Sequence, residues 1–287
     1  MDFSLIKSCD QHTAMEIYDA SMHGKIGVNV GHVSGISNML LTILHQNPEL
    51  LNVHAYNYRE GILSSMVVPQ YCYTQEKAAG LLAECNEEAD SIAEKIRNSR
   101  LSTYDSVIRV HDILARKVKY EYDLSYEDHS IVGALLTQTG CCESISKAFK
   151  FILDKLEIPC LCVSGDAYDA GRGKRDAHMW NMVCISGNWC HVDVTFDLAV
   201  KGFTSIPHFY FGLDDLSIKR DHTIDQTYNY PKAVSAEMDY FKKNNREFGS
   251  LDVFKKYISD MLRLGKDQFE MRMSYSFSGG EVHQMID

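Results

Sequence analysis

The chain has 287 residues, 45% hydrophobic and 24% charged, which suits one large domain or a domain with a substantial addition. Its formal net charge is -10 and no Lys/Arg-rich cluster stands out, which argues against nucleic acid or an anionic membrane surface as a partner. No apolar run approaches the ~20 residues of a spanning helix. The N-terminal "MDFSLIKSCDQHTAMEIYD" also lacks the basic and apolar regions of a signal peptide. A cytoplasmic location is expected, with export an option if the start of the chain has been trimmed. Nine cysteines, an odd number, read as reduced thiols and not as a disulfide framework.

Residues 10 to 46 read as two helices around the break "HGKIGVNVGHVSG", punctuated by Asn47-Pro48. "LLNVHAYNYREGILSSMVV" reads as a hairpin turning at Arg59-Glu60-Gly61, with Pro69 ending its second strand. Leu81, Leu82, Cys85, Ala89, Ile92 and Ile96 recur at helical spacing. Ser102, with Asp105 three residues on, reads as the cap of the next helix. Val107, His111, Leu114 and Val118 line one face of that helix, and His111 there is expected to be a hydrogen-bonded core histidine.

"HSIVGALLTQTGCCESISKAFKFILDKLEI" predicts a helix that starts near Cys141 or Cys142 and is stopped by Pro159. Ile145, Ala148, Phe149, Ile152, Leu153 and Leu156 form its apolar face. Three strands follow: "CLCVSGDAY", "AHMWNMVCIS" and "WCHVDVTFD". The last two are joined at Gly187-Asn188, a hairpin signal. Residues 198 to 235 show little regular pattern. A helix at 251 to 263 and a strand "FEMRMSYS" come last.

The chemistry centres on the vicinal pair in "GCCESISKAF". A thiol at a helix N-terminus faces orphan N–H groups and the positive end of the dipole. Both favour the thiolate, and the same N–H groups suit an oxyanion on a carbonyl substrate. A base and an orienter are then needed. His178 and Asp193 fall on the same face of the expected hairpin. A strict Gly187-Asn188 turn, however, puts His178 opposite Asp197, with Asp193 about 13 Å along the strand. A bulge or longer loop would be needed to bring Asp193 beside His178, so spacing leaves both aspartates open. The many sulfur and imidazole groups nearby (Cys141, Cys142, Cys160, Cys162, His178, Cys184, Cys190, His191) raise a zinc site as an alternative. Yet C-x-C plus a vicinal pair is poor zinc spacing, and Cys160 and Cys162 are expected to face the core as small apolar residues.

"HSIVGALLTQTGCCESISKAFKFILDKLEIPCLCVSGDA" and "AHMWNMVCISGNWCHVDVTFD" resemble the two halves of the transglutaminase-like superfamily signature. That signature runs H-S-x-x-G-A-L, then G-x-C-E-G-Y-A-x-A-F, then H-x-W-N-M-V and G-x-W-x-H-V-D-V-T-W-D. "HQNPELLNVHAYNY", "YDSVIRVHDILARKVKYEYD" and "FYFGLDDLSIKRDHT" resemble the lead-in and tail of its bacterial members more weakly. The resemblance implies an α+β papain-like core over residues 101–287, with the nucleophile-bearing helix packed on an antiparallel sheet. A helical and β-hairpin region over 1–100 precedes it. It implies a catalytic triad of Cys142 as nucleophile, His178 as base and Asp193 as orienter, which chooses Cys142 over Cys141 and Asp193 over Asp197. Trp180 and Asn181 match the W-N pair and are expected to buttress the histidine strand. Tyr122 is the candidate for an aromatic residue at the oxyanion site. The implied chemistry is a thioester mechanism on amide bonds of a protein or peptide, by hydrolysis or acyl transfer to an amine. It requires no metal and no organic cofactor. A catalytically inactive protein-binding module on the same fold is the alternative. The chain departs from the signature at Ser144, where relatives carry glycine, and the serine is expected to narrow the site, change specificity or accompany lost activity. The basic loop around Arg172, Lys174 and Arg175 reads as a solvated loop or as a lip for an acidic substrate group.

Overall fold

The chain opens with α1 (Gln11–Met22), β1 (Val28–Val30), α2 (Ile36–Gln46) and a hairpin of β2 (Val53–Glu60) and β3 (Ser65–Tyr71). A computed structural model describes residues 5, 11–62, 64–121, 125–169, 173–198, 205–266 and 268–274. The break between the first two helices therefore contains a short strand. The small antiparallel sheet runs β1-β3-β2, and a core of Ala14, Ile17, Val30, Met39, Ile43 and Val67 joins it to α1 and α2. Pro69 does not end β3 but lies within it, opposite Tyr56. β1 pairs only with Ser65 to Val67, so Pro69 sits where β3 has lost its neighbour on that side and a missing N–H is tolerated.

α3 (Gln75–Asn98) and α4 (Thr103–Lys117) follow. Thr74 caps the first, its Oγ1 accepting the Lys77 N–H at 3.3 Å. Ser102 caps the second: its Oγ accepts the Asp105 N–H at 3.1 Å and donates to the Asp105 carboxylate at 2.6 Å. β4 (Lys119–Tyr120) pairs in parallel with β5 (Thr139–Gly140), and a π-helical turn over Gly133–Thr137 leads into α5 (Cys142–Lys155). The larger sheet is built from β6 (Cys160–Asp169), β7 (Lys174–Ile185), β8 (Asn188–Val192), β9 (Phe211–Leu213) and, after α6 (Asp215–Ile218), β10 (His222–Ile224). α7 (Tyr240–Lys243), β11 (Glu247–Phe248), α8 (Leu251–Arg263) and β12 (Arg272–Met273) come last. The final strand is shorter than "FEMRMSYS" suggests, and residues 275 and 276 of that stretch lie outside the described residues.

The larger sheet is antiparallel in the order β10-β6-β7-β8-β9. One face meets α5, with Val183, Ile185, Cys190 and Val192 packed against Ile145, Phe149 and Ile152. α3 and α4 add Cys85, Ala89, Val107 and Leu114 to the same core. Phe149 and Ile152 are fully buried, each contributing about 1.5–3 kcal/mol by removal from water. Cys160 and Cys162 face inward as expected. Val163, Trp180, Met182, Leu213, Ile218 and Ala233 form a second core cluster. This α+β arrangement sets the start of α5 against the middle of β7. No helix among the described residues is long and apolar enough to cross a membrane.

Candidate active site

Cys141 is the N-cap residue of α5 and Cys142 its first helical residue, so the two thiols have different surroundings. Cys141 is 6% exposed, whereas Cys142 is half-buried. Cys141 Sγ lies 3.4 Å from His129 Nδ1, which also lies 3.1 Å from Glu143 Oε2. The Cys142 hydrogen bond lowers the Cys141 thiol to about 5, helped against burial by His129 and the Ser144 backbone. The same shared hydrogen bond, together with burial, pushes Cys142 up. Cys141 makes no side-chain cap hydrogen bond, so its shift comes chiefly from Cys142 and His129. Cys142 receives a backbone hydrogen bond from Met179, the residue after His178. That contact ties it to β7, and it makes no hydrogen bond to His178 itself.

β7 and β8 turn at Ser186-Gly187, one residue earlier than Gly187-Asn188. Both turn residues have positive φ, 52° and 84°, the requirement of a tight I′-type hairpin. The ladder stops at Asn181↔Val192, so 193 to 197 form a turn and not the end of a strand. Asp193 Oδ1 accepts the N–H groups of Thr195 at 2.9 Å and Phe196 at 3.2 Å. This frees Oδ2 to meet His178 Nε2 at 2.7 Å. No bulge is needed, because the corrected register makes Asp193 the diagonal neighbour of His178 on the same face. Asp197 is buried elsewhere, accepting the N–H groups of Phe209 and Tyr210 at 2.9 Å each.

A second imidazole reaches the same carboxylate. His222 Nε2 lies 3.0 Å from Asp193 Oδ2, and its Nδ1 lies 2.6 Å from Asp221 Oδ1. Tyr210 donates its hydroxyl to Asp221 Oδ2 at 2.6 Å. Burial opposes ionisation of Asp193, but His178 and His222 hold it well below the usual carboxylate range. His222 is raised to about 9: burial resists its charge, and Asp193 and Asp221 outweigh that. Sequence reasoning missed His129, Tyr210, Asp221 and His222. No spacing rule links β10 to β8 across two intervening strands.

His178 stacks on the buried Trp180 ring, with centroids 6.0 Å apart. Trp180 Nε1 donates to His191 Nδ1 at 3.0 Å, and His191 Nε2 lies 3.0 Å from Asp215. Asn181 Nδ2 donates to the Ser146 carbonyl of α5 at 3.0 Å and to the Leu161 carbonyl of β6 at 3.4 Å. Ser144 does not narrow the cleft. It is fully buried, donating to the Ser130 carbonyl at 2.5 Å and accepting the Ala134 N–H at 3.0 Å. Tyr122 and Arg172 lie outside the described residues. Lys174 and Arg175 belong to β7, where they bond Asp176 at 2.6 Å and Thr223 at 3.0 Å.

Among the described residues, two groups bring imidazole nitrogens and a carboxylate oxygen within 4.8 Å of one another: His178/Asp193/His222 and His111/Asp112/His208. Neither includes a cysteine, and in both the spacings are those of N–H···O hydrogen bonds. His111 is thus a fully buried, hydrogen-bonded core histidine. A cavity of about 390 Å³ is lined by His54, Cys72, Tyr126, His129, Glu143 and Lys147, beside the start of α5. A larger one of about 620 Å³, near Tyr18, Asp154 and Trp189, touches none of the candidate triad.

Residues 90–194 match the family model described as the transglutaminase-like superfamily. Residues 90–194 are therefore similar to a transglutaminase-like core. That segment spans α4, α5 and β6 to β8, hence both thiols, His178 and Asp193. Among solved structures, one described as a TGase matches the chain at 13% identity. That match covers 62% of this chain and 53% of the other, with a TM-score of 0.35. The periplasmic domain of TgpA from Pseudomonas aeruginosa matches at 16% identity over 47% of this chain and 54% of its own, with a TM-score of 0.32. The NAT3 arylamine N-acetyltransferase from Bacillus cereus, described as having a Cys-His-Glu triad, matches at 14% identity. It is covered over 49% of this chain and 66% of its own, with a TM-score of 0.26. The chain thus covers less than two thirds of each of these solved chains. No curated protein matches it.

Proposed function

We propose that the transglutaminase-like core is a cysteine-dependent enzyme acting on amide bonds of a protein or peptide, with Cys142, His178 and Asp193 as its triad. The observation that carries this reading is the 2.7 Å bond from His178 Nε2 to Asp193, made on the strand whose next residue contacts the Cys142 thiol. Asp193 fixes the tautomer in which Nε2 bears a proton and Nδ1 is free to act as base. The Cys142 proton must be removed for the sulfur to attack. His178 Nδ1 takes that proton as the sulfur bonds to the amide carbonyl carbon. The backbone N–H groups at the start of α5 are suited to the oxyanion. Collapse breaks the C–N bond, and His178 returns the proton to the leaving nitrogen. The thioester then passes its acyl group to water or to an amine, which His178 deprotonates in turn. No step calls for a metal or an organic cofactor.

The deciding experiment offers glutamine peptides and peptide amides with and without a labelled primary amine. Ammonia release, amine incorporation and backbone cleavage distinguish deamidation, transfer and proteolysis. Cys142→Ala and His178→Ala should each lower the rate by about 10³-fold or more. Full activity in Cys142→Ala with loss in Cys141→Ala would transfer the role to the neighbouring thiol. An equally active double variant would end the thiol reading.

A further inference from the structure

We propose that His222 is a positioning residue of this site: a buried imidazolium that shares Asp193 with His178 and sets the pH at which the Cys142–His178 pair ionises. The proposal rests on the triad reading above. Its basis is the hydrogen-bond count at two carboxylates. Asp193 Oδ1 is taken by two backbone N–H groups, and its Oδ2 faces His178 Nε2 and His222 Nε2 at 2.7 and 3.0 Å. Asp221 Oδ2 is taken by the Tyr210 hydroxyl and its Oδ1 faces His222 Nδ1 at 2.6 Å. Each His222 nitrogen therefore points at a carboxylate oxygen. A neutral imidazole has one N–H and would turn a lone pair on one of them, so the doubly protonated ring is the form that fits.

The sheet is built to let His222 in. β6 separates β10 from β7, and on this face it offers only Gly165, opposite His178, and Ala167, opposite His222. The His222 ring is enclosed by Trp180, Phe196 and Tyr210, with centroids 4.9 to 5.5 Å away, and by His178 at 5.5 Å. The charged or titratable groups facing it are Asp193, Asp221, His178 and Tyr210, with His191 behind Trp180. His191 is held toward its neutral form by burial. Sharing Asp193 with a resident cation weakens the hold of that carboxylate on a proton at His178. It also adds positive potential near the thiol. Removing the cation favours the protonated form of both groups, so the charged thiolate–imidazolium window moves to higher pH.

The test follows alkylation of Cys142 in the full chain by iodoacetamide, a neutral probe, from pH 5 to 10, with rates resolved by peptide mass spectrometry. His222→Gln should move the Cys142 rate profile upward by about one pH unit, which is tenfold slower alkylation on its acid limb. Asp221→Asn, at a less buried position, removes only one of the two carboxylates that charge His222. It should move the profile in the same direction by less. A profile that keeps its position in both variants, whether or not its height falls, overturns the proposal and leaves His222 a packing residue. If Cys142 in the unaltered chain reacts no faster than the half-buried Cys72 and Cys184, the triad reading itself fails. That result is visible without any variant.

Discussion

Ser144 stands where the family signature has glycine, and its hydroxyl is a pin and not an obstruction. It joins the Ser130 carbonyl to the Ala134 N–H across the π-helical turn that precedes α5. Ser144→Gly leaves that buried N–H and carbonyl without their partner and loosens a helix turn. A cost of about 1–3 kcal/mol is expected. Thermal unfolding should report the loss, while KM for a peptide amide stays near its original value. A large change in KM would mean that the side chain reaches the cleft after all. Asp193 carries more roles than its size suggests, since two backbone N–H groups and two imidazoles converge on it. Asp193→Asn forces an N–H donor toward those donors and favours the wrong His178 tautomer. A fall in kcat of about 10⁴-fold is expected, with the bound Cys142 chemistry and not substrate affinity as the casualty.

At the scale of elements, the site depends on where two strands stop. β8 ends at Val192, and that ending lets Asp193 fold into a turn and swing its carboxylate to His178. The sequence contained the parity that puts both residues on one face. It did not contain the register, since moving the turn back by one residue, with Ser186 in place of Asn188, shifts the cross-strand pairing by two. Serine and asparagine both tolerate tight turns, so local chemistry alone does not choose between them. β10 is attached through a close backbone approach. A Cβ on Gly165 would lie 2.0 Å from the Thr223 carbonyl oxygen and 2.9 Å from the Trp180 ring. Gly165→Ala should therefore push β10 off β6 and cost about 1–3 kcal/mol. It should also displace His222, so thermal unfolding and the Cys142 alkylation profile are expected to change together. An unshifted melting temperature would show that the edge strand yields freely.

Across the described residues, two buried polar chains alternate carboxylates and imidazoles. One chain runs His178–Asp193–His222–Asp221–Tyr210. Another links Asp112 to both His111 and His208, and His208 to Glu270 at 2.6 Å. It ties α4 to the loop before β9 and to the region just before β12. Burial resists charge on His208, but Asp112 and Glu270 raise it to about 9. Its folded value lies above the unfolded value of about 6.5. The stabilisation is therefore complete below pH 6.5 and is lost as pH rises through about 9. His222 acts in the same direction over the same window. Urea unfolding should show stability declining from pH 6.5 to 9, and His208→Gln should flatten part of that decline. A slope unaffected by the substitution would mean that His208 is neutral in the folded chain.

The sequence by itself determined the longer helices, whose periodicity and caps are local, and a set of candidate residues for the chemistry. Alternation placed His178 and Asp193 on one face but left Asp197 open, and only the resemblance to a family signature singled out Cys142 and Asp193 as candidates. The place of His129 beside Cys141 was decided by the tertiary structure, since His129 reaches the cap from a preceding turn. So was the partner of Asp193: His222 is 29 residues away and meets it because β10 folds back beside β6 where that strand carries Gly165 and Ala167. Electrostatic contacts of this kind depend on distances of a few ångströms between distant segments, and those distances exist only once the sheet has formed.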